Sequence, residues 1–96
     1  MKILALEREI PDKTASDFHP YLQDEARRVW ELCQAGVIRE TYFSANSHEA
    51  VFMLECATQA EARESLESLP LVRAELIRFE VIPLVPYDGF GRLFRE

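Results

Sequence analysis

One stretch near the end of the chain, LPLVRAELIRFEVIPL at residues 69–84, constrains the fold more than any other. A proline stands close to each of its ends, where a strand inside a sheet has to stop. The alternation places Ile77, Phe79 and Val81 on one side of a strand. The opposite side also carries apolar residues, in the set Leu76, Arg78, Glu80, Ile82 and Leu84. Such a strand needs cover on both faces, and the chain's own helices can supply only one cover.

Apolar residues in the rest of the chain recur with two different spacings, one typical of strands and the other typical of helices. Residues 2–9 alternate and predict a first strand, and residues 37–45 and 49–56 predict two more, joined as a hairpin.

Helical patterns fill the segments between these strands. A helix is predicted from about Asp17, capped by Ser16 or Asp17 and ending before Gly36. Its apolar stripe is Leu22, Ala26, Val29, Trp30 and Cys33, and its charged residues, Glu25 among them, are expected to face solvent. A second helix begins at a capping box, Thr58 to Glu61, and ends at Pro70.

This order of elements predicts a ferredoxin-like α+β fold, βαββαβ, with two helices on one face of a four-stranded antiparallel sheet. The domain would span residues 1–86, and residues 87–96 would form a tail whose aromatic side chains pack on a partner subunit or close the mouth of the barrel. The uncovered sheet face would carry Ile3, Val51, Met53, Leu76, Ile82 and Leu84. So much apolar surface predicts a homodimer, in which two such faces close a barrel around the functional pocket.

Composition excludes several classes of function. The 96 residues include 17 acidic and 11 basic side chains, and the basic ones form no stripe, so nucleic acid is not expected as a partner. The short apolar start is neither a signal peptide nor a membrane span, which favours a cytoplasmic protein. Cys33 and Cys56 are interpreted as reduced, buried thiols. His19 and His48 are not at metal-ligand spacing with them, so no metal or cofactor is expected.

Several segments resemble the muconolactone isomerase family of dimeric α/β barrels. They are Ala35-Gly36 through Arg39, FMLE at 52–55, TQAEA at 58–62, and LPL at 69–71 leading to EVIPL at 80–84. The resemblance implies an isomerase of aromatic-compound degradation that shifts a proton on a small carboxylated lactone. It is most specific in the last of these segments.

The chain is also similar to the YCII-related family, through the run from His19 to Leu22 and the region from Pro70 to Pro83. That family pairs a histidine at the start of the first helix with an aspartate just before the proline that ends the second. His19 matches, but Leu69 occupies the place of the aspartate, which argues against that mechanism. Two further functions stay open at this point, a ligand-binding module without catalysis and a cofactor-free monooxygenase.

A proton shift on a carboxylated substrate needs a base, an acid and a cation. We expect Glu55 to be the base, because Val51 and Met53 would raise its pKa, and His19 to be a mobile acid or base. Arg39 or Arg78 would bind the substrate carboxylate, and Glu7 would be a further pocket residue on the barrel side. Tyr42 would join the pocket instead of Arg39 if the other face of the strand at residues 37–45 looks inward. Alternatively, Glu55 pairs with one of the arginines as a structural ion pair. His48 is expected to be exposed to solvent.

Overall fold

The computed structural model describes residues 1–95 and contains four strands and four helices. The strands are β1 Lys2–Glu9, β2 Ile38–Phe43, β3 Ala50–Glu55 and β4 Ile77–Pro83. The helices are α1 Ala15–Phe18, α2 Leu22–Gln34, α3 Gln59–Glu67 and α4 Pro70–Arg73, with 3-10 turns at His19–Tyr21 and Gly89–Phe94. The sheet order is β2-β3-β1-β4, and all neighbouring strands are antiparallel. This is the predicted ferredoxin-like arrangement.

The helix boundaries follow from local hydrogen bonds. Thr14 precedes α1 and its amide donates to the Asp17 carboxylate at 2.8 Å, so the first helix begins earlier than predicted and is interrupted by the turn at Pro20. Gly36, with φ +79°, lies just past α2 in the left-handed region that favours glycine. The Glu61 amide donates to Thr58 Oγ1 at 3.1 Å, which confirms the cap of α3. Pro70 does more than end that helix, because it is the first residue of α4.

The core lies between the helices and one face of the sheet. Its sheet side is built from alternate residues, and its helix side comes mainly from α2, α3 and Leu69. The fully or nearly fully buried members include Ile3, Ala5, Phe52, Leu54, Ile77, Leu32, Ala62, Leu66 and Leu69. Ile3 and Leu76 were expected on the uncovered face, and both placements are wrong. Ile3 has no exposed surface, and Leu76 packs with Leu71 and Ile77 under α4.

The opposite face of the sheet has no helix against it in the described residues. We call it the open face, and its central apolar residues are Leu4, Leu6, Val51, Met53 and Ile82, all half-buried. At one end it becomes charged, where Arg8 Nη2 donates to Glu80 Oε2 at 3.2 Å. The prediction of an apolar uncovered face is therefore confirmed for Val51, Met53 and Ile82, and Leu4 and Leu6 of β1 add to that surface.

The predicted apolar stripe of the first long helix packs only partly into the core. Val29 and Cys33 pack against it, whereas the side chains of Leu22 and Trp30 are 48% and 62% exposed. These exposed members border a cleft between the helix and the sheet. Cys33 and Cys56 are free and partly buried. No helix within residues 1–95 has the length and apolarity to cross a membrane.

We expect the Leu54→Ala substitution to lower the free energy of unfolding by about 2–5 kcal/mol, because Leu54 is completely buried between sheet and helices. The matched control is Leu22→Ala, which removes the same atoms from a half-exposed site. Urea unfolding followed by circular dichroism measures both. Equal losses for the two variants would contradict the placement of Leu54 in the core.

Candidate functional site

A cleft of about 950 Å³ opens between α1, α2 and the helix-facing side of the sheet. Its floor comes from β1, β2 and β3, and its wall from the inner side of α2. Most of the lining is apolar, including Phe18, Leu22, Ala26, Val29, Trp30, Phe43, Phe52 and Leu71. The volume is in the range of small-molecule sites, which are typically about 300–1,000 Å³. Three glutamates also line the cleft, of which Glu9 is exposed, Glu7 is buried and Glu25 is half-buried.

Glu7 extends the buried row of β1 that begins with Ile3 and Ala5. It is 9% exposed, and its cross-strand neighbour Phe79 shares its face. Its Oε1 accepts a hydrogen bond from the Ala50 amide at 2.9 Å, at the point where the β1–β3 pairing ends. Burial raises the pKa of Glu7 above its usual value, and the nearby charges of Glu9 and Glu49 add to this. The Ala50 bond and His48 oppose the rise.

Glu25 projects from the first turn of α2 into the same cleft. Its Oε1 accepts a hydrogen bond from the Leu71 amide at 2.9 Å, in the first turn of α4, where amides have no partner within the helix. Burial raises the pKa of Glu25, and the charge of Glu7 raises it further, while the Leu71 bond opposes the rise. Each of the two carboxyl groups therefore favours the protonated form more than a free glutamate does.

The mouth of the cleft carries aromatic rings and a cation. The imidazole of His48 stacks on the ring of Phe43 with centroids 4.1 Å apart, and the left-handed backbone of His48, φ 56°, places it in the β2–β3 turn. His48 is exposed, as predicted, but it also lines the cleft. Lys13 and Trp30 lie on the α1–α2 side. Flat rings on two sides suit a flat ligand.

Glu55, predicted to be the base, lies outside this cleft. Its carboxylate forms an ion pair with the amino group of Met1, on the face of the sheet opposite to the core. The hydrogen bond from that amino group lowers the pKa of Glu55, so the expected rise in its pKa is wrong. The physical reason is that Glu55 is at the open end of β3, where a cation replaces the apolar surroundings that the pattern suggested. Glu55 therefore pairs with the amino group of Met1 and not with Arg39 or Arg78, the alternative expected from the sequence. The charge of Arg39 still contributes to lowering the pKa of Glu55.

The other predicted site residues are dispersed. Arg39 sits at the irregularity in β2, and its Nε donates to the Gly36 carbonyl at 2.6 Å, while Arg78 is exposed on the open face opposite Arg8. Tyr42 borders the cleft through its strand, but it pairs with Val51 on the open face and its hydroxyl donates to Glu40 at 2.7 Å. His19 is exposed in the 3-10 turn before α2. Of the six, only Glu7 places a carboxylate inside the cleft, and it does so on the helix side, not the expected barrel side.

Glu25, Lys13 and Trp30 are among the cleft residues that sequence reasoning missed. Glu25 has charged neighbours in sequence, which favoured a solvent-facing position. Lys13 and Trp30 gave no distinct signal, since one belongs to a loop and the other to an apolar stripe. The signal that could have been used is Glu7 itself, an acidic residue in register with Ile3 and Ala5. Within residues 1–95, no group of three His, Cys, Asp or Glu side chains is arranged to hold a metal ion.

Comparison with known proteins supports the fold assignment. No protein-family model and no curated protein matches the sequence significantly. Among solved structures, muconolactone isomerase superimposes with a TM-score of 0.75 at 18% identity, covering 93% of each chain. A 5-chloro-2-hydroxyhydroquinone dehydrochlorinase from Burkholderia phenoliruptrix AC1100, in complex with 2,5-dihydroxybenzoquinone, superimposes with a TM-score of 0.63 at 14% identity, covering 93% of this chain and 98% of its own. The predicted resemblance to muconolactone isomerase is confirmed at the level of the fold.

The raised pKa of Glu7 predicts how stability depends on pH. Above about pH 4.5, the usual value, the unfolded chain loses this proton before the folded chain does. The stabilisation that protonated Glu7 contributes is therefore complete at lower pH and is lost as the pH rises through the folded-state pKa. Glu7→Gln keeps an acceptor for Ala50 and carries no charge, so its stability relative to the wild type should increase with pH. Urea unfolding between about pH 4.5 and pH 8 measures this. Glu67→Gln, at an exposed site on α3, should show no such trend.

Proposed function

We propose that this protein is an isomerase that moves a proton on a small carboxylated ring compound, such as a lactone, bound in the cleft between α2 and the sheet. The observation that carries the proposal is a pair of carboxyl groups, the buried Glu7 and the half-buried Glu25, which line one apolar cleft and both have raised pKa values. The muconolactone isomerase fold is consistent with this reaction but does not by itself determine it.

Two carboxyl groups with raised pKa values in one cleft suit a proton shift when one is ionised while the other keeps its proton. The ionised group takes a proton from a carbon next to a carbonyl, and the pair of electrons moves into the conjugated system. The protonated group then delivers its proton to the far end of that system. The substrate gains and loses one proton, and the two carboxyl groups have exchanged states. No oxidant or reductant takes part.

A substrate carboxylate needs a cation at the cleft. Arg39 and Arg78 lie elsewhere, so we assign this role to Lys13 at the mouth, with His48 on the opposite rim. This arrangement would hold the charged group of the substrate toward solvent and its ring between the aromatic side chains. It also keeps the substrate's negative charge away from Glu7 and Glu25, because an anion close by would raise the pKa values of both groups further and keep both protonated.

The competing function is a binding module that uses the same cleft without catalysis. Both carboxylates also have a structural role, since Glu7 accepts a hydrogen bond from the Ala50 amide and Glu25 accepts one from the Leu71 amide. Neither bond by itself requires a charge, because a glutamine oxygen can accept in the same place. Substitution by glutamine therefore separates the two functions: it keeps the bonds and removes the proton exchange.

We expect Glu7→Gln and Glu25→Gln each to reduce kcat by at least ~100-fold, the usual contribution of a general acid or base. The assay follows the ultraviolet absorbance of muconolactone and related carboxylated lactones with purified protein. Glu55→Gln should retain activity within about twofold, because its carboxylate is tied to the amino terminus. Turnover that survives both cleft substitutions would contradict the proposal, as would loss of activity in Glu55→Gln alone. Tight binding without turnover would favour the binding module.

We also propose that the open face is covered by a second copy of the chain. Its half-buried apolar residues lie on the two central strands, β1 and β3, and Ile82 of β4 adjoins them. A two-fold axis would bring the same residues together from both chains. The cleft is on the other side of the sheet, so dimerisation through the open face would leave both clefts free. This differs from the sequence-based expectation that the barrel interior is the pocket.

Val51→Lys tests the dimer by placing an unpaired charge at the centre of the open face. We expect it to raise the dimer dissociation constant by at least ~100-fold, because an uncompensated buried charge costs about 3–5 kcal/mol. Ala60→Lys, on the exposed side of α3, adds the same charge away from the face and should leave the constant unchanged. Sedimentation equilibrium provides the measurement. A wild-type protein that remains at 11.1 kDa at micromolar concentration would rule the dimer out.

A further inference from the structure

The cleft is larger than a small lactone with one ring requires. A cavity of about 150 Å³ is enough to hold one benzene ring, whereas the cleft has a volume of about 950 Å³. The cleft is also long, because its lining residues on α2 run from Leu22 to Cys33, which is roughly 16 Å along the helix axis. This length is about three helical turns, and a single six-membered ring covers roughly one of them. A ligand with one ring would therefore leave most of the cleft to water.

The space beyond one ring is bordered by large apolar side chains that are exposed. Trp30 and Phe43 are 62% and 61% exposed, and Leu22 is 48% exposed, although all three line the cleft. Exposed apolar side chains that are grouped around one cavity are typical of a binding surface. Trp30 belongs to α2, and Phe43 is the last residue of β2, so they come from the two sides of the cleft. A ligand that reaches from Glu7 to the mouth would remove these side chains from water.

The aromatic side chains at the mouth favour a flat ligand over a bulky one. The rings of Phe43 and His48 are inclined by only 16° to each other, so they form one stacked pair on the sheet side. Trp30 supplies the largest ring on the helix side. Aromatic rings gain more from contact with another ring than the buried area alone provides. An extended planar ring system can make such contacts on both sides.

The charged groups of the cleft differ in their exposure. Glu7 is buried and Glu25 is half-buried, whereas Lys13 is exposed at the mouth. In the proposed reaction the carboxylate of the substrate meets Lys13, and the carbons that exchange protons lie beside the two glutamates. The body of the substrate must then extend between these two places, along the apolar lining.

We infer that the cleft takes a planar compound of two or three fused rings with one carboxylate, and that the ring system lies against Trp30 and Phe43. The position of the carboxylate at Lys13 rests on the proposed function. The size and the planarity of the ligand follow from the cleft itself. Trp30 and Phe43 then determine specificity, because only a ligand with more than one ring covers them.

Isothermal titration calorimetry with benzoate and 2-naphthoate tests the size of the ligand, since the two acids differ only by one fused ring. We expect the Kd of 2-naphthoate to be at least ~10-fold lower, because the second ring buries further apolar surface. Decahydro-2-naphthoate has the same carbon skeleton but is not flat, and it should bind at least ~10-fold more weakly than 2-naphthoate. Equal constants for benzoate and 2-naphthoate would overturn the inference, as would a decahydro compound that binds as tightly as the flat one.

Trp30→Ala tests the assignment of the second ring to the rim. We expect this variant to raise the Kd of 2-naphthoate at least ~10-fold and to change the Kd of benzoate less than about threefold. Tyr21→Ala is the matched control, because Tyr21 is an exposed aromatic residue outside the cleft lining, and it should change neither constant. If circular dichroism shows that Trp30→Ala does not fold, Trp30→Leu replaces it. A variant that folds and keeps the full preference for 2-naphthoate would contradict the assignment.

These measurements separate the inference from the proposed isomerase activity. None of the three acids is a lactone, so the binding constants do not depend on turnover. A preference for 2-naphthoate that requires Trp30 supports the inference even if no lactone is isomerised. Equal binding of the acids with one and two rings would overturn it even if a lactone with one ring is isomerised.

Discussion

The buried carboxylate of Glu7 is the interaction on which the cleft depends. It occupies a position in the row of Phe43, Ala50 and Phe79 where an apolar side chain would complete the core. A polar group buried without a partner costs several kcal/mol, and the Ala50 amide offsets part of that cost. The hydrogen bond from the Ala50 amide to Glu7 follows directly after the last backbone pair between β1 and β3, Leu6 with Val51. The sheet therefore ends there in a polar group with apolar side chains around it, and the cleft lies between this end of the sheet and α2.

The fold was predictable because each element carries its own local signal. Thr58 caps α3, and Gly36 lies just past the end of α2. The alternation in residues 2–9 and 77–83 indicates the strands β1 and β4, which pair with each other. What failed was the assignment of faces. The face of β1 that contains Ile3 was expected to be the open one, and a shift of one residue in an alternating strand moves every side chain to the other side. Glu7 was misplaced together with Ile3 for that single reason.

The site was less predictable than the fold because its residues meet only in three dimensions. Glu25 has charged neighbours in sequence and becomes half-buried only through the Leu71 amide, a partner 46 residues away. Glu55 has apolar neighbours in sequence but ends beside the amino group of Met1. Local composition thus gave the wrong sign of the pKa shift for Glu55 and no indication of one for Glu25. Burial and ion pairing belong to the tertiary structure, and no window of sequence contains them.

The two faces of the sheet differ in what they carry and in how they affect stability. The helix-facing side carries the carboxylates, and their burial lowers a stability that is already small for a chain of this length. The open face holds apolar surface that no element of the described chain covers, and contact between copies would restore what the cleft costs. The rings of Tyr87, Phe90 and Phe94 near the end of the chain are also exposed, so they contribute little to the stability of their own chain.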